Sequence, residues 1–333
     1  MRIVRARAPA RAALLGNPSD GYGGATLAVA VQDFAAQVTV YEWPELEVLP
    51  AAGDRCRHPS LAALVDDVRA HGYEGGLRLV KAAIVRFARW CEEHAVALQH
   101  TTFAVRYAST VPRGVGLAGS SAIVVATLRA LCAFHAVTIP PAVLPDLALA
   151  AETQELGLAA GLQDRVVQIY EGLMAMDFAP ELVAHDGHGR YERLDPALLP
   201  PLFLAHRAEA AQPSQVVHAD LRARHEAGEA AVVEGMAAIA ALAGEGRAAL
   251  ERGDHGVLGA LMGANVAGRV ALYDPDPLHL AMVEIAQACG TSANFAGSGG
   301  AVVGPCPDEA TFAALREAYA RAGCAVLWPV LTA

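Results

Sequence analysis

The sequence predicts an α+β fold divided into two domains. Three observations lead there. β-type runs crowd the chain up to Glu42, apolar residues recur at helical spacing through the middle, and the chain closes on a strand, a helix and a strand. The 54% hydrophobic and 18% charged composition supports packed cores and rules out a disordered chain.

The opening runs are IVRARA, RAALLG, ATLAVAV and AQVTVYE, read as separate strands around the Pro/Gly-rich turn Gly16 to Gly24. A helix follows, with Leu77, Val80, Ile84, Phe87 and Cys91 on one face and the chain's only lysine, Lys81, as a solvated charge. Strand TFAVRYA leads into VPRGVGLAGSSA and then a helix through AIVVATLRALCAF. A helix from about Pro145 to Glu155, the segment AAGLQDRVVQIYEG and the strand LMAMDF complete the first part. ALLPPLF marks a boundary near Pro200, giving domains 1–198 and 199–333. Beyond it come Ala-rich helices over about 215–270, a helix from Pro277 ending at Gly290, and the glycine-rich NFAGSGGAVVG. ATFAALREAYARA, Gly323 as a helix stop and AVLWPV then suggest a split βαβ arrangement.

The formal net charge is −10, which leaves no basic surplus for phosphates, so neither nucleic acid nor an anionic membrane is an expected partner. No stretch approaches a membrane span, and MRIVRARAPAR lacks an apolar signal core; the expected location is cytoplasmic. Cys56, Cys91, Cys132, Cys289, Cys306 and Cys324 are scattered without metal-ligand spacing, and Cys91 and Cys132 fall on apolar helix faces as structural thiols. The histidines form no ligand pattern.

The loop VPRGVGLAGSSA fits two phosphate patterns. Gly114, Gly116 and Gly119 spell GxGxxG, but no acidic residue follows between Gly114 and Pro145 to hold a ribose. The GxxxxGK[ST] pattern fails because Ser120 stands where a lysine is needed. What remains is a loop whose amides meet a helix N-terminus opened by Ser120 and Ser121, an arrangement that wraps phosphates without a lysine.

Three ordered motifs resemble the GHMP kinase superfamily (galactokinase, homoserine kinase, mevalonate kinase, phosphomevalonate kinase). Its middle motif P-x-x-x-G-L-x-S-S-A is matched by Pro112, Gly116, Leu117, Ser120, Ser121 and Ala122. The galactokinase motif P-G-R-V-N-L-I-G-E-H-T-D-Y-N-G-G is met by PARAALLGNPSDGYGG, with Arg11, Gly16, Asp20, Gly23 and Gly24 in register and Asn17 and Pro18 replacing Glu-His. The third glycine motif is matched by Gly297, Ser298, Gly299 and Gly300, with Ser298 in place of the usual alanine. GNPSD, GLQDR, LLPPL and GSGGAVV resemble the glucuronokinase branch.

The resemblance implies a two-domain fold: an N-terminal ribosomal-protein-S5-domain-2-like α/β domain and a C-terminal ferredoxin-like α+β domain. It also implies ATP and Mg2+ as cofactors and a uronic acid or related sugar, phosphorylated at its anomeric hydroxyl, as substrate. The phosphate-binding residues would be Gly114, Gly116, Leu117, Ala118, Gly119, Ser120 and Ser121. Asp164 matches the superfamily aspartate that acts as base or orienter, and Arg11 its basic residue beside the acceptor; a helix-capping aspartate and a surface arginine are the bland alternatives. Glu152, twelve residues before Asp164, would join Ser121 on the metal, with Glu155 as the competing carboxylate. Asn17, Asp20, Tyr22, Arg165, Gly297 and Ser298 would meet the sugar. A carboxylate on the substrate calls for an arginine, and Arg165 and Arg113 are the two in view. Other readings are a kinase of the same fold for galactose or a heptose phosphate, and a non-catalytic sugar or nucleotide sensor. Either a monomer or a homodimer is compatible.

Overall fold

A computed structural model describes residues 2–51, 54, 75–98, 102–207 and 215–331, without side chains at 215–219. Cys56 lies outside them. The chain forms two units of interleaved segments, one of residues 1–9, 34–111 and 119–160, the other of 10–33, 112–118 and 161–333.

Two long strands serve both units, β1 (Ile3–Leu15) and β2 (Ala25–Glu42). The four runs expected at the start are therefore two strands. Among the described strands β1 pairs with β2 alone, and an edge strand can carry a proline such as Pro9 at a position whose nitrogen faces away from the ladder. The polar interruption Gln32–Asp33 likewise stays extended within β2.

In the first unit, β2 pairs antiparallel with β4 (Phe103–Ser109), which pairs parallel with β3 (Glu47–Leu49). Three helices pack with one another: α1 (Gly76–Glu93), α2 (Gly119–His135) and α3 (Leu144–Thr153). α1 buries Val80, Phe87 and Cys91 at the spacing its sequence shows and keeps Lys81 exposed. Burial raises the thiols of Cys91 and Cys132, the latter to about 12, so both remain protonated.

In the second unit, the first half of β2 pairs with β5 (Leu173–Asp177), and β5 with β6 (Arg190–Leu194). α4 (Gln163–Tyr170) precedes β5, and the short α5 (Pro180–Asp186) follows it. β7 (Leu202–Arg207) then leads to α6 (Gln215–Glu226), α7 (Ala230–Glu251), α8 (His255–Leu272) and α9 (Pro277–Ala288). β8 (Asn294–Phe295), β9 (Ala301–Pro305), α10 (Glu309–Arg321) and β10 (Cys324–Leu327) end the chain. The last four strands form an antiparallel sheet in the order β10-β7-β9-β8, the ferredoxin-like order, with α6–α9 filling the first crossover. Phe203, Phe295, Val302, Leu315 and Tyr319 make its core. Among the described residues no single helix is long and apolar enough to cross a membrane.

Candidate active site

β1 spends one edge on β2 and offers the other, in the second unit, to two loops. Arg11 N–H donates to the Leu117 carbonyl at 3.3 Å, and Ala13 N–H to the Ala296 carbonyl at 2.8 Å. Alternate residues of one strand thus hold the phosphate loop and the third glycine motif.

The Arg11 side chain, 5% exposed, works between the same loops. Its Nη1 donates to the carbonyls of Gly116 and Ala296, while Nε, at 2.9 Å, and Nη2 both donate to Asp164 Oδ1. The other oxygen, Asp164 Oδ2, stands 3.7 Å from Arg165 Nη1, too far for a hydrogen bond. One carboxylate oxygen is saturated and the other open, on a side chain that keeps 21% exposure. Asp164 sits in the first turn of α4, where a negative charge suits the helix dipole, and it makes no capping bond there.

α4 organises the surroundings. Its Gln168 Nε2 donates to the Ala118 carbonyl at 2.8 Å, clamping a non-glycine residue held at φ +61°. Its first amide, Gln163 N–H, donates to Asp20 Oδ2 at 3.2 Å. Gly161 precedes it because a Cβ there would lie 2.1 Å from the same Asp20 oxygen. Burial first, and the Asp164 charge second, push the Asp20 carboxyl up from 3.8 to about 6.

The turn that carries Asp20, a 3-10 helix Ser19–Tyr22, is anchored from α8. Asn265 accepts from Gly16 N–H at 2.7 Å and donates to the Asn17 carbonyl at 3.0 Å. One helical turn on, Arg269 Nη1 donates to Asn17 Oδ1 at 3.1 Å and to the Gly297 carbonyl at 2.8 Å, while its Nε donates to the Tyr273 hydroxyl. The Arg269 guanidinium lies 4.8 Å from the Phe295 ring centre, a cation–π contact. Asn265 and Arg269 escaped the sequence reading, although a polar pair four residues apart on an apolar helix face was there to be seen.

Of the other expected residues, Tyr22 rests against His225 with ring centres 4.9 Å apart. Arg165 is buried and donates Nη1 to the Gly161 carbonyl. Gly297 is buried, whereas Ser298, Arg113 and Gly114 are exposed. Asp20, Asp164, Arg11 and Arg165 are brought into one charge cluster with the two glycine-rich loops.

In the first unit, α2 opens with Gly119, Ser120 and Ser121; Ser121 is buried and Ser120 exposed. Glu152 is buried on α3, which packs against α2. Glu155 pairs with Arg86 and Arg89 of α1. One buried carboxylate and one hydroxyl suit magnesium, which takes few protein ligands and fills its shell with phosphate oxygens and water.

Residues 78–172 match the family model for the GHMP kinases N-terminal domain. Over 98% of its length the chain is 39% identical to Glucuronokinase 1 of Arabidopsis thaliana, covering 91% of that protein. Its identity to Probable glucuronokinase 2 of the same plant is 40%, with the same coverage. Lactococcus lactis galactokinase, solved in complex with galactose, superposes with a TM-score of 0.78 over 99% of this chain and 94% of its own, at 14% identity, and so shares the fold. By sequence over nearly its whole length and by fold, the chain belongs to the GHMP kinase family.

Proposed function

We propose that the protein is an ATP-dependent kinase that phosphorylates the anomeric hydroxyl of D-glucuronate to give D-glucuronate 1-phosphate. The substrate is inferred from the near full-length identity to the glucuronokinases. The chemistry is inferred from one observation, the Asp164 carboxylate with Oδ1 held by Arg11 and Oδ2 open. Oδ2 takes the proton of the sugar hydroxyl as its oxygen attacks the γ-phosphorus; the bond from that phosphorus to the bridging oxygen breaks and ADP leaves. Arg11 holds Asp164 in place and adds positive charge beside the transferring group. Gly114 to Ala118 and the α2 amides would cradle the ATP phosphates, and Asn17, Asp20, Tyr22, Gly297 and Ser298 would line the sugar. Glu152 and Ser121 would hold Mg2+, which supplies charge neutralisation on the phosphates when bound.

Residues 1–198 would form the domain with the phosphate loop and catalytic Asp164, and 199–333 the domain with the third glycine motif. Arg11, Asp20, Asp164 and Gly297 come from one chain, so a monomer suffices and a homodimer is compatible. A kinase using ATP and a free sugar acid fits the cytoplasm.

The test of substrate is direct. Glucuronate is expected to exceed glucose and galactose in kcat/KM by roughly 100-fold or more, because a site built for a charged partner rejects the analogue lacking it. Galactose turned over equally well would refute the uronate and leave the kinase standing.

The raised Asp20 carboxyl gives a second expectation. Between pH 3.8 and about 6 the folded chain keeps a proton that the unfolded chain has released. Its stabilising contribution is therefore full below pH 3.8 and is lost as pH rises through about 6. Acceptance of sugar hydroxyls runs the other way, since only the ionised form accepts on both oxygens. The acid limb of kcat/KM for the sugar should turn near pH 6, and Asp20→Asn should flatten it. An unchanged limb in that variant assigns it to another group.

A further inference from the structure

Of the arginines of the second unit that bear on the sugar turn and the loops beside it, Arg11, Arg165 and Arg269 are committed, and Arg113 is exposed in the phosphate loop. Arg11 is shared between Asp164 and the carbonyls of Gly116 and Ala296. Arg165 is buried on Gly161, and Arg269 is buried among Asn17, Gly297 and Tyr273. A further one is Arg222 on α6. It is half-buried and makes no hydrogen bond or ion pair with any described residue. Of the acids near it, Asp220 lies 3.6 Å from Arg224 and Glu229 is paired with Arg224 at 2.7 Å, while Glu226, one turn beyond Arg222 on α6, forms no ion pair with it.

Arg222 lies on the sugar turn itself. Its Nη2 stands 3.5 Å from where a Cβ on Gly21 would be, between Asp20 and Tyr22 in sequence. The galactokinase motif has tyrosine at this position, and a side chain of that size would fill the space the guanidinium occupies. The exchange of tyrosine for glycine and the uncommitted cation above it belong together. A half-buried guanidinium with no hydrogen-bond or ion-pair partner among the described residues is matched by a carboxylate, whose two oxygens meet its fork.

We propose that Arg222 binds the carboxylate of the sugar acid and sets the preference for a uronate over a neutral hexose, with Gly21 as the gap that admits it. This rests on the uronate reading above. It also moves that role away from Arg165, whose guanidinium is buried and already bonded, and from Arg113, which is exposed in the phosphate loop.

The experiment compares wild type, Arg222→Gln and Arg222→Lys on glucuronate, on its neutral carboxamide glucuronamide, and on glucose. The Gln variant should lose roughly 30-fold or more in kcat/KM on glucuronate, chiefly through KM, as expected when one partner of a close charge pair is removed. Glucuronamide, glucose and the KM for ATP should move by no more than about twofold, because none of them offers that carboxylate. The Lys variant should recover part of the loss, keeping the charge without the fork. An equal loss on all three sugars, or no loss on glucuronate, would overturn the role of Arg222 and leave the kinase reading intact. A wild type that phosphorylates glucose but not glucuronate would overturn the uronate reading, and this proposal with it.

Discussion

Replacing Asp164 by Asn is expected to lower turnover about 10²- to 10⁴-fold while ATP binds as before, the range for a positioned general base. The amide keeps the shape, and its oxygen can still accept from Arg11 Nε and Nη2. What it loses is the open oxygen, which becomes an NH2 group unable to take the hydroxyl proton. Steady-state kinetics beside calorimetric ATP binding separate the two effects. Turnover within threefold of wild type would remove Asp164 from the proton transfer.

The second large effect is expected in the phosphate loop, and it distinguishes two glycines of the same motif. Gly116 has φ +73°, and a Cβ there would lie 2.9 Å from both the Ser298 nitrogen and the Gly299 oxygen. Backbone cannot step aside as a flexible side chain can, so Gly116→Val should displace the loop from the third glycine motif and weaken ATP by roughly 100-fold or more. Gly119 lies in the first turn of α2, where a Cβ would meet Val111 at 3.4 Å, an ordinary contact. Gly119→Ala should therefore fold and keep a normal melting curve. ATP affinity unchanged in a folded Gly116→Val chain would show that the contact between the loops is dispensable.

Much of this was legible in the sequence, and the rest has physical reasons for hiding. Helix α1 declared itself by its apolar period, and α10 by the run ATFAALREAYARA and by Gly323, found at φ +69°; its N-cap Asp308, which accepts from Thr311 N–H, was not read from the sequence. The strands β1 and β2 were seen but cut in two, at Pro9, which β1 carries as an edge strand, and at Gln32–Asp33, which stays extended between the stretches of β2 that pair with β5 and β4. The members of the charge cluster were found by motif. Their bonds were not, since no local pattern says that Arg11 reaches Ala296 or that Asp20 takes the Gln163 amide. Arg269 hid for the same reason, its partner Asn17 lying 252 positions away.

Those distances along the chain have a consequence for how the protein comes into being on the ribosome. A nascent chain that has emerged as far as Pro200 already carries Arg11, Asp164 and the phosphate loop, yet it lacks the Ala296 and Gly297 carbonyls and the Arg269 guanidinium. Ring closures of this length form late, since their entropy must be met before the contacts repay it. The contacts that brace the couple from the third glycine motif and from Arg269 are therefore added last, when translation is nearly finished. A product terminated near Pro200 would carry the phosphate loop, Arg11 and Asp164 without the Ala296 and Gly297 carbonyls and the Arg269 guanidinium that brace them in the full chain.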